Sequence, residues 1–294
     1  MILYLFGCIT SFVLRRLPPG WGYAVAPLLG HVVFRFWRRG RTCLRENIGH
    51  VLGQGASRQR IDEVVRRTFC NYFKYLADFV RLSATHRCED ALRIVTFQDI
   101  DNLGRALEGG KGGILVGLHQ GNWEITGDAV VQHGYPLNVV VESFASARLD
   151  RFVQGRRRGA GMKVIAMEDG VAEMLDVLRR NEILVLLIDI PGVGKGVDVR
   201  YCDAVTQMPR GAATLALKTG ARIVPIASVR LPDDSFLCYA DECIPFEATG
   251  HFGRDVQALT QMIVDSLGRY VRLHPDQTYM FRRMWPKDGA APEP

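Results

Sequence analysis

Of the signatures that mark common hydrolases and metal sites, this 294-residue chain carries few. It has no CxxC pair, no HExxH and no GxSxG. Its seven cysteines (Cys8, Cys43, Cys70, Cys88, Cys202, Cys238 and Cys243) are odd in number and scattered. That pattern points to reduced thiols, not to a disulfide framework or a zinc site. Without HExxH or a cysteine cluster, a zinc centre is disfavoured, and no metal is expected. Without GxSxG, a serine nucleophile on a strand-to-helix elbow is not expected either. There is no internal repeat, no linker-like stretch, and no basic, aromatic-bearing module of the kind that reads nucleic acid.

Charge is absent from the first 14 residues, "MILYLFGCITSFVL", after which Arg15-Arg16 follow. A signal peptide places its basic residues before the apolar run, so the order here is reversed. A helix of this length would reach roughly 21 Å, short of the roughly 30 Å hydrocarbon core of a bilayer. Pro18-Pro19-Gly20 interrupts it, "WGYAVAPLLGHVVF" (21–34) supplies a second uncharged stretch, and "RFWRRGRTCLR" (35–45) adds five arginines among aromatics. Two apolar segments with basic borders are expected to anchor the chain at a membrane, in one leaflet or as a marginal span. The arginines would then face anionic headgroups on the cytoplasmic side. The plain alternative is a helical pair buried against the rest of the chain.

What is present is a sizeable core. Hydrophobic residues make up 48% of the chain and the formal charge is +6, so an anionic partner is expected. Residues 57–82 place Ile61, Val64, Val65, Phe69, Tyr72, Phe73, Leu76, Phe79 and Val80 at helical spacing. Beyond them, short apolar runs at 112–118, 137–143, 163–167, 182–190 and 222–231 read as strands. Helical stretches near 123–133, 146–160, 171–180 and 209–219 separate them, and a last helix lies near 255–273. Strands apolar throughout and alternating with helices predict an α/β fold with a mostly parallel central sheet flanked by helices. The expected organisation is a membrane-anchoring helical segment at 1–40, one domain at 41–286 and a disordered tail at 287–294.

In open α/β sheets, ligands sit beyond the carboxyl ends of the strands. His119 follows the strand at 112–118, and Asp189 closes the strand at 182–190. The two would converge only if those strands are parallel neighbours. In "HQGNWE" (119–124), Gly121 allows a tight turn, Asn122 suits a helix N-cap, and Glu124 falls in the first helical turn. Five residues apart, His119 and Glu124 could not share a helical face, but the turn can fold one towards the other. A His119–Glu124 dyad would then serve as general base. No serine or cysteine lies within the turn, so the base would act on an external hydroxyl or on water. In the plain alternative, His119 caps a helix and Glu124 is a solvated first-turn acid.

His119 and Glu124 match the HxxxxE form of the HxxxxD/E signature of glycerolipid and glycolipid acyltransferases. The context "GGILVGLHQGNWE" resembles the lipid A late acyltransferase family, within the lysophospholipid acyltransferase-like superfamily. Also similar to that family, in order, are "LRENI" (44–48), "RRRGAGMKVI" (156–165), "LLIDIPGVGKGVDVRY" with Asp189, "MPRGAATLALKTGARIVPI" (208–226) and "HPDQTYMFRRMW" (274–285). The resemblance implies acyl transfer from an acyl carrier protein or acyl-CoA thioester, used as cosubstrate with no other cofactor, to a glycolipid hydroxyl. It places the chain at a bacterial inner membrane, on its cytoplasmic face, among anionic lipids. It implies His119 as base oriented by Glu124, with Arg157 as oxyanion donor and Arg156 and Arg158 as neighbours open to that role. Asp189 would position an arginine or the base, or be a structural strand-end acid. Asn122, Arg156, Arg158 and Arg210 are expected to touch substrate, although a run such as Arg156–Arg158 also suits a solvated face.

Thr278 departs from the family's usual aromatic, and "IPGVGKGVDVRYCDAVT" after Asp189 does not assign the chain to an acceptor class. The resemblance implies a lipid A precursor-like acceptor, and these departures keep an inositol mannoside or a lysophospholipid open as alternatives. A thioester hydrolase and a non-catalytic lipid-binding protein are the competing functions.

Overall fold

All five apolar runs become strands of one sheet, four of them inside it and the run at 163–167 at its edge, as expected for aliphatic stretches in a layered fold with helices on both faces. The computed structural model describes residues 2–81, 91–190 and 196–285. Four helices come first: α1 (Ile2–Leu14), α2 (Pro19–Phe36), α3 (Arg38–Leu52) and α4 (Arg58–Arg81). Next come α5 (Ala91–Ile94), β1 (Val95–Gln98), α6 (Asp101–Leu107), β2 (Gly113–Gly117), α7 (Trp123–Gln132), β3 (Leu137–Val141), α8 (Ala147–Gly159) and β4 (Lys163–Ala166). The chain continues with α9 (Gly170–Arg179), β5 (Ile183–Leu187), β6 (Val197–Tyr201), β7 (Ala204–Met208), α10 (Gly211–Thr219), β8 (Arg222–Arg230), β9 (Phe236–Ala240) and α11 (Phe252–Leu273).

The main sheet has seven strands in the order β1-β9-β8-β2-β5-β3-β4, and only the β8–β9 pair is antiparallel. One face packs on a core that includes Ile114, Val116, Leu184, Ile263 and Leu267; the other packs on Leu115, Val130, Leu137 and Met162. β6 and β7 form a separate antiparallel hairpin. Two strands of the main sheet, β1 and β9, lie outside the five runs. Each is four or five residues long and alternates in burial.

The N-terminal segment folds as two helices, and neither is long and apolar enough to cross a membrane. Both helices pack on α4. Gly30 brings α2 so close that a Cβ there would lie 2.9 Å from the Cys70 backbone, and the Ser11 hydroxyl donates to the Val80 carbonyl at 2.6 Å. The buried-pair alternative accounts for these inner faces only. On the outer faces Phe12, Trp21, Leu28 and Phe36 are 60%, 63%, 65% and 77% exposed, far more than isolated surface residues would explain. The tail expected at 287–294 lies outside the described residues.

Candidate active site

The site begins with strand register. β2 and β5 are parallel neighbours, with Gly117 opposite Leu187, and the ladder continues one step as the Ile188 N–H donates to the Gly117 carbonyl. His119 and Asp189 are each two residues beyond those partners, so the register sets them side by side. The Asp189 carboxylate then takes the place of the next carbonyl in the ladder. Its Oδ2 accepts the His119 backbone N–H at 2.8 Å, and its Oδ1 pairs with His119 Nδ1 at 2.6 Å. Asp189 is buried, and the imidazole is partly exposed.

The turn that follows is fixed on both sides. Gly121 has φ +62°, and a Cβ there would overlap the Ser228 carbonyl of β8. The Gly121 N–H donates to the Gln277 carbonyl at 2.9 Å, and the Tyr279 N–H donates to the His119 carbonyl at 2.9 Å. The segment 277–279 thus runs beside the turn as a short clamp. Asn122 caps α7 as expected, accepting from the Ile125 N–H at 3.1 Å, and its amide donates to Asp78 Oδ2 at 2.8 Å.

Glu124 is held elsewhere than the sequence led us to expect. Arg157, on α8, grips it through Nε at 3.0 and 3.1 Å and through Nη2 at 2.6 Å, and also reaches Gln154 at 3.0 Å. Glu124 is buried, at 2% side-chain exposure, and Arg157 is largely buried, at 17%. The expected His119–Glu124 dyad is thus replaced by two pairs, His119–Asp189 and Glu124–Arg157. The reason is geometric: the helix start carries Glu124 towards α8, while strand register brings Asp189 directly to the imidazole. Burial alone would lower the His119 pKa, but the Asp189 charge and hydrogen bond outweigh it and raise it above 6.5. Burial pushes Asp189 up, and the His119 contacts more than reverse that, leaving it below 3.8. For Arg157, burial works against the charge and Glu124 more than restores it.

His119, Glu124 and Arg157 line a cavity of about 290 Å³ whose other walls are mostly aliphatic. The remaining expected binding residues lie elsewhere. Asn122 is fully buried with its side chain committed to the cap and to Asp78. Arg156 is 5% exposed; it donates to Ser11 at 2.8 Å and lies 3.4 Å over the Phe152 ring, so it fastens α1 to α8 instead of meeting phosphate. Burial drops its pKa to about 10. Arg158 and Arg210 are exposed and outside the cavity wall. Among the described residues, no three His, Cys, Asp or Glu side chains gather as a metal site would require.

Sequence reading missed a buried network behind the turn. Asp78 of α4 accepts from Asn122, from the Tyr23 hydroxyl of α2 at 2.6 Å, and from Arg230 of β8. Gln277 pairs with both backbone groups of Arg230, at 2.7 and 2.9 Å. The available signal was an acid and an arginine at apolar positions of a helix and a strand. Nothing in their spacing, 152 residues apart, connects them.

The Glu124–Arg157 pair carries a direct prediction. Glu124→Gln strips the counter-charge from a buried guanidinium and is expected to cost about 3–5 kcal/mol in urea unfolding. Arg157→Gln added to it should recover most of that loss. A Glu124→Gln variant as stable as wild type would contradict the pairing.

Residues 1–287 match the family of bacterial lipid A biosynthesis acyltransferases. A phosphatidylinositol mannoside acyltransferase of Mycolicibacterium smegmatis is 28% identical over 261 residues, covering 83% of this chain and 79% of that protein. A protein of the same name from Mycobacterium tuberculosis is 26% identical over 255 residues, covering 83% and 77%.

Proposed function

Because the chain belongs to the bacterial lipid A biosynthesis acyltransferase family, and is an acyltransferase, we propose that it moves a fatty acyl group from a thioester to a hydroxyl of a membrane glycolipid. The donor in this reading is an acyl carrier protein or coenzyme A thioester. The acceptor is a mannosylated phosphatidylinositol-type lipid, which the relatives' names favour over the lipid A precursor expected first. The observation that carries the reading is the His119 imidazole, pinned through Nδ1 by Asp189 at the wall of an aliphatic cavity.

With Nδ1 bound to a carboxylate, the neutral ring keeps its proton there and offers Nε2 as base. Nε2 takes the proton of the acceptor hydroxyl as its oxygen bonds to the thioester carbonyl carbon. The tetrahedral intermediate collapses, the C–S bond breaks, and the leaving thiolate takes the proton back from Nε2. Charge on the carbonyl oxygen needs a fixed donor, which is worth several kcal/mol in a water-poor site. Arg157 has N–H groups on Nη1 and Nη2 beyond those given to Glu124 and Gln154, and it fills that role. Glu124 holds the guanidinium at the cavity wall.

The membrane face in this reading is the outer side of α1 and α2, with Phe12, Trp21, Leu28 and Phe36 inserted in one leaflet and Arg15, Arg35 and Arg38 at the headgroups. Leu28→Asp with Phe36→Asp should abolish co-sedimentation with anionic vesicles; unchanged binding would rule this face out. The function is tested by offering purified protein in detergent both radiolabelled thioesters against a panel of membrane glycolipids. A new acylated phosphatidylinositol mannoside that disappears in His119→Ala is the expected product. Free fatty acid as the sole product would instead mark a hydrolase, and acylated lipid A precursor would move the acceptor.

A further inference from the structure

The cavity beside His119 is open at one end and closed at the other. β3 and β5 pair only over Leu137–Val139 with Ile183–Val185; beyond that point Val140, Val141, Leu186 and Leu187 line the cavity instead of closing the sheet. Glu142 and Phe144, exposed and in the lining just past β3, put the mouth at that splayed end. At the opposite end stand Leu115, Val130, Leu137 and Met162, which are at most 4% exposed and also belong to the core cluster beneath the cavity. Val224 and Ile183 belong to the same cluster and are outside the lining.

Met162 is the adjustable part of this floor. It is unbranched, and its tip meets α7 at the residue that has no side chain. A Cβ on Gly127 would lie 2.9 Å from Met162 Cε, 3.1 Å from its Sδ and 3.5 Å from Leu137. The nearest atoms belong to a flexible thioether, so a methyl group at 127 would displace Met162 more readily than backbone. Resting on the acyltransferase reading above, we propose that the Gly127–Met162 contact is the gauge that sets acyl-chain length. From His119 back to Leu115 along β2 is four residues, or roughly 13 Å at 3.3 Å per residue. At about 1.2 Å per bond of extended chain, that accommodates about ten carbons beyond the reacting carbonyl. The floor, not the mouth, is where one methylene more or less is felt.

The two residues act in opposite senses. Met162→Ala removes three heavy atoms from the floor and should lengthen the preferred acyl chain by about two to four carbons. Gly127→Ala pushes the thioether into the cavity and should shorten it. The experiment measures kcat/KM for a series of saturated acyl donors from eight to eighteen carbons, with wild type and each variant in the same detergent. A methylene in an apolar pocket changes discrimination about tenfold or more, so the ratio between long and short donors should move by at least that in each direction. Met162→Leu keeps the core volume if the alanine variant proves unstable, and it should shift the optimum upward by less. Folded variants with the wild-type preference, or both shifting the same way, would overturn the gauge while transfer itself continued. Wild type inactive with every donor would instead bring down the acyltransfer reading and the gauge with it.

Discussion

Asp189→Asn is expected to lower turnover about 10³–10⁴-fold, nearly as far as His119→Ala, with the fold retained. The size follows from two hydrogen bonds. The His119 backbone N–H points at one oxygen of Asp189, and Nδ1 lies at the other. An asparagine must keep its oxygen towards the backbone N–H, so its NH₂ faces Nδ1. An NH₂ donates, so Nδ1 must accept, and the ring proton moves to Nε2. The nitrogen proposed to act as base is then already protonated. Asparagine has the same heavy-atom shape as aspartate and keeps the hydrogen bond to the His119 backbone N–H, so stability should change little beside activity.

The same pair sets the pH profile. Because Asp189 holds the His119 pKa above 6.5, the acid limb of kcat/KM should fall above that value in wild type. Activity is lost as pH drops through the raised pKa, since a protonated ring cannot accept. In Asp189→Asn the residual activity should have its acid limb at lower pH, because the favourable charge is gone while the burial remains.

Gly121→Ala is expected to cost at least about 3 kcal/mol of stability and to remove activity with it. Two penalties coincide at this residue. Its φ of +62° is one that an alanine adopts only under strain, and the added methyl would occupy the Ser228 carbonyl. Neither obstacle is a side chain that can rotate away. The carbonyl belongs to β8, and the turn is fastened by the Gly121 N–H to Gln277 and by the Tyr279 N–H to His119. Chemical unfolding beside a turnover assay checks this; an alanine variant with wild-type midpoint and rate would show that the turn is not fixed as described.

The central strands were legible because short aliphatic runs suit strands covered on both faces: β2 and nearly all of β8 are buried, and β3 and β5 are buried at their starts and half-buried where they reach the cavity. β1 and β9 were not, since their alternating burial resembles ordinary loop sequence at four or five residues. His119 and Asp189 could be placed at strand ends from sequence, but their meeting depended on register, which is a property of the whole sheet. Glu124 shows the converse. A short spacing suggested contact with His119, and the helix start took its carboxylate to an arginine 33 residues away. Arg156 and Arg157 are adjacent in one basic run, yet one turns to α1 and the other to the cavity, a division fixed by which helix face each occupies. The "LRENI" and closing "MFRRMW" segments, read separately, prove to hold each other. The Asn47 amide donates to the carbonyls of Met280 and Arg282, and its oxygen accepts the Met284 N–H. Their shared work is to brace the strip that clamps the His119 turn.

The most direct test of the His119–Asp189 pair is a double-mutant cycle on turnover, comparing wild type, His119→Ala, Asp189→Asn and the double variant in the same transfer assay. Residues acting as one unit lose their contribution once, so the double variant should be no slower than His119→Ala alone. Losses that multiply would mean that Asp189 acts on the reaction by a route other than the imidazole, contradicting the account.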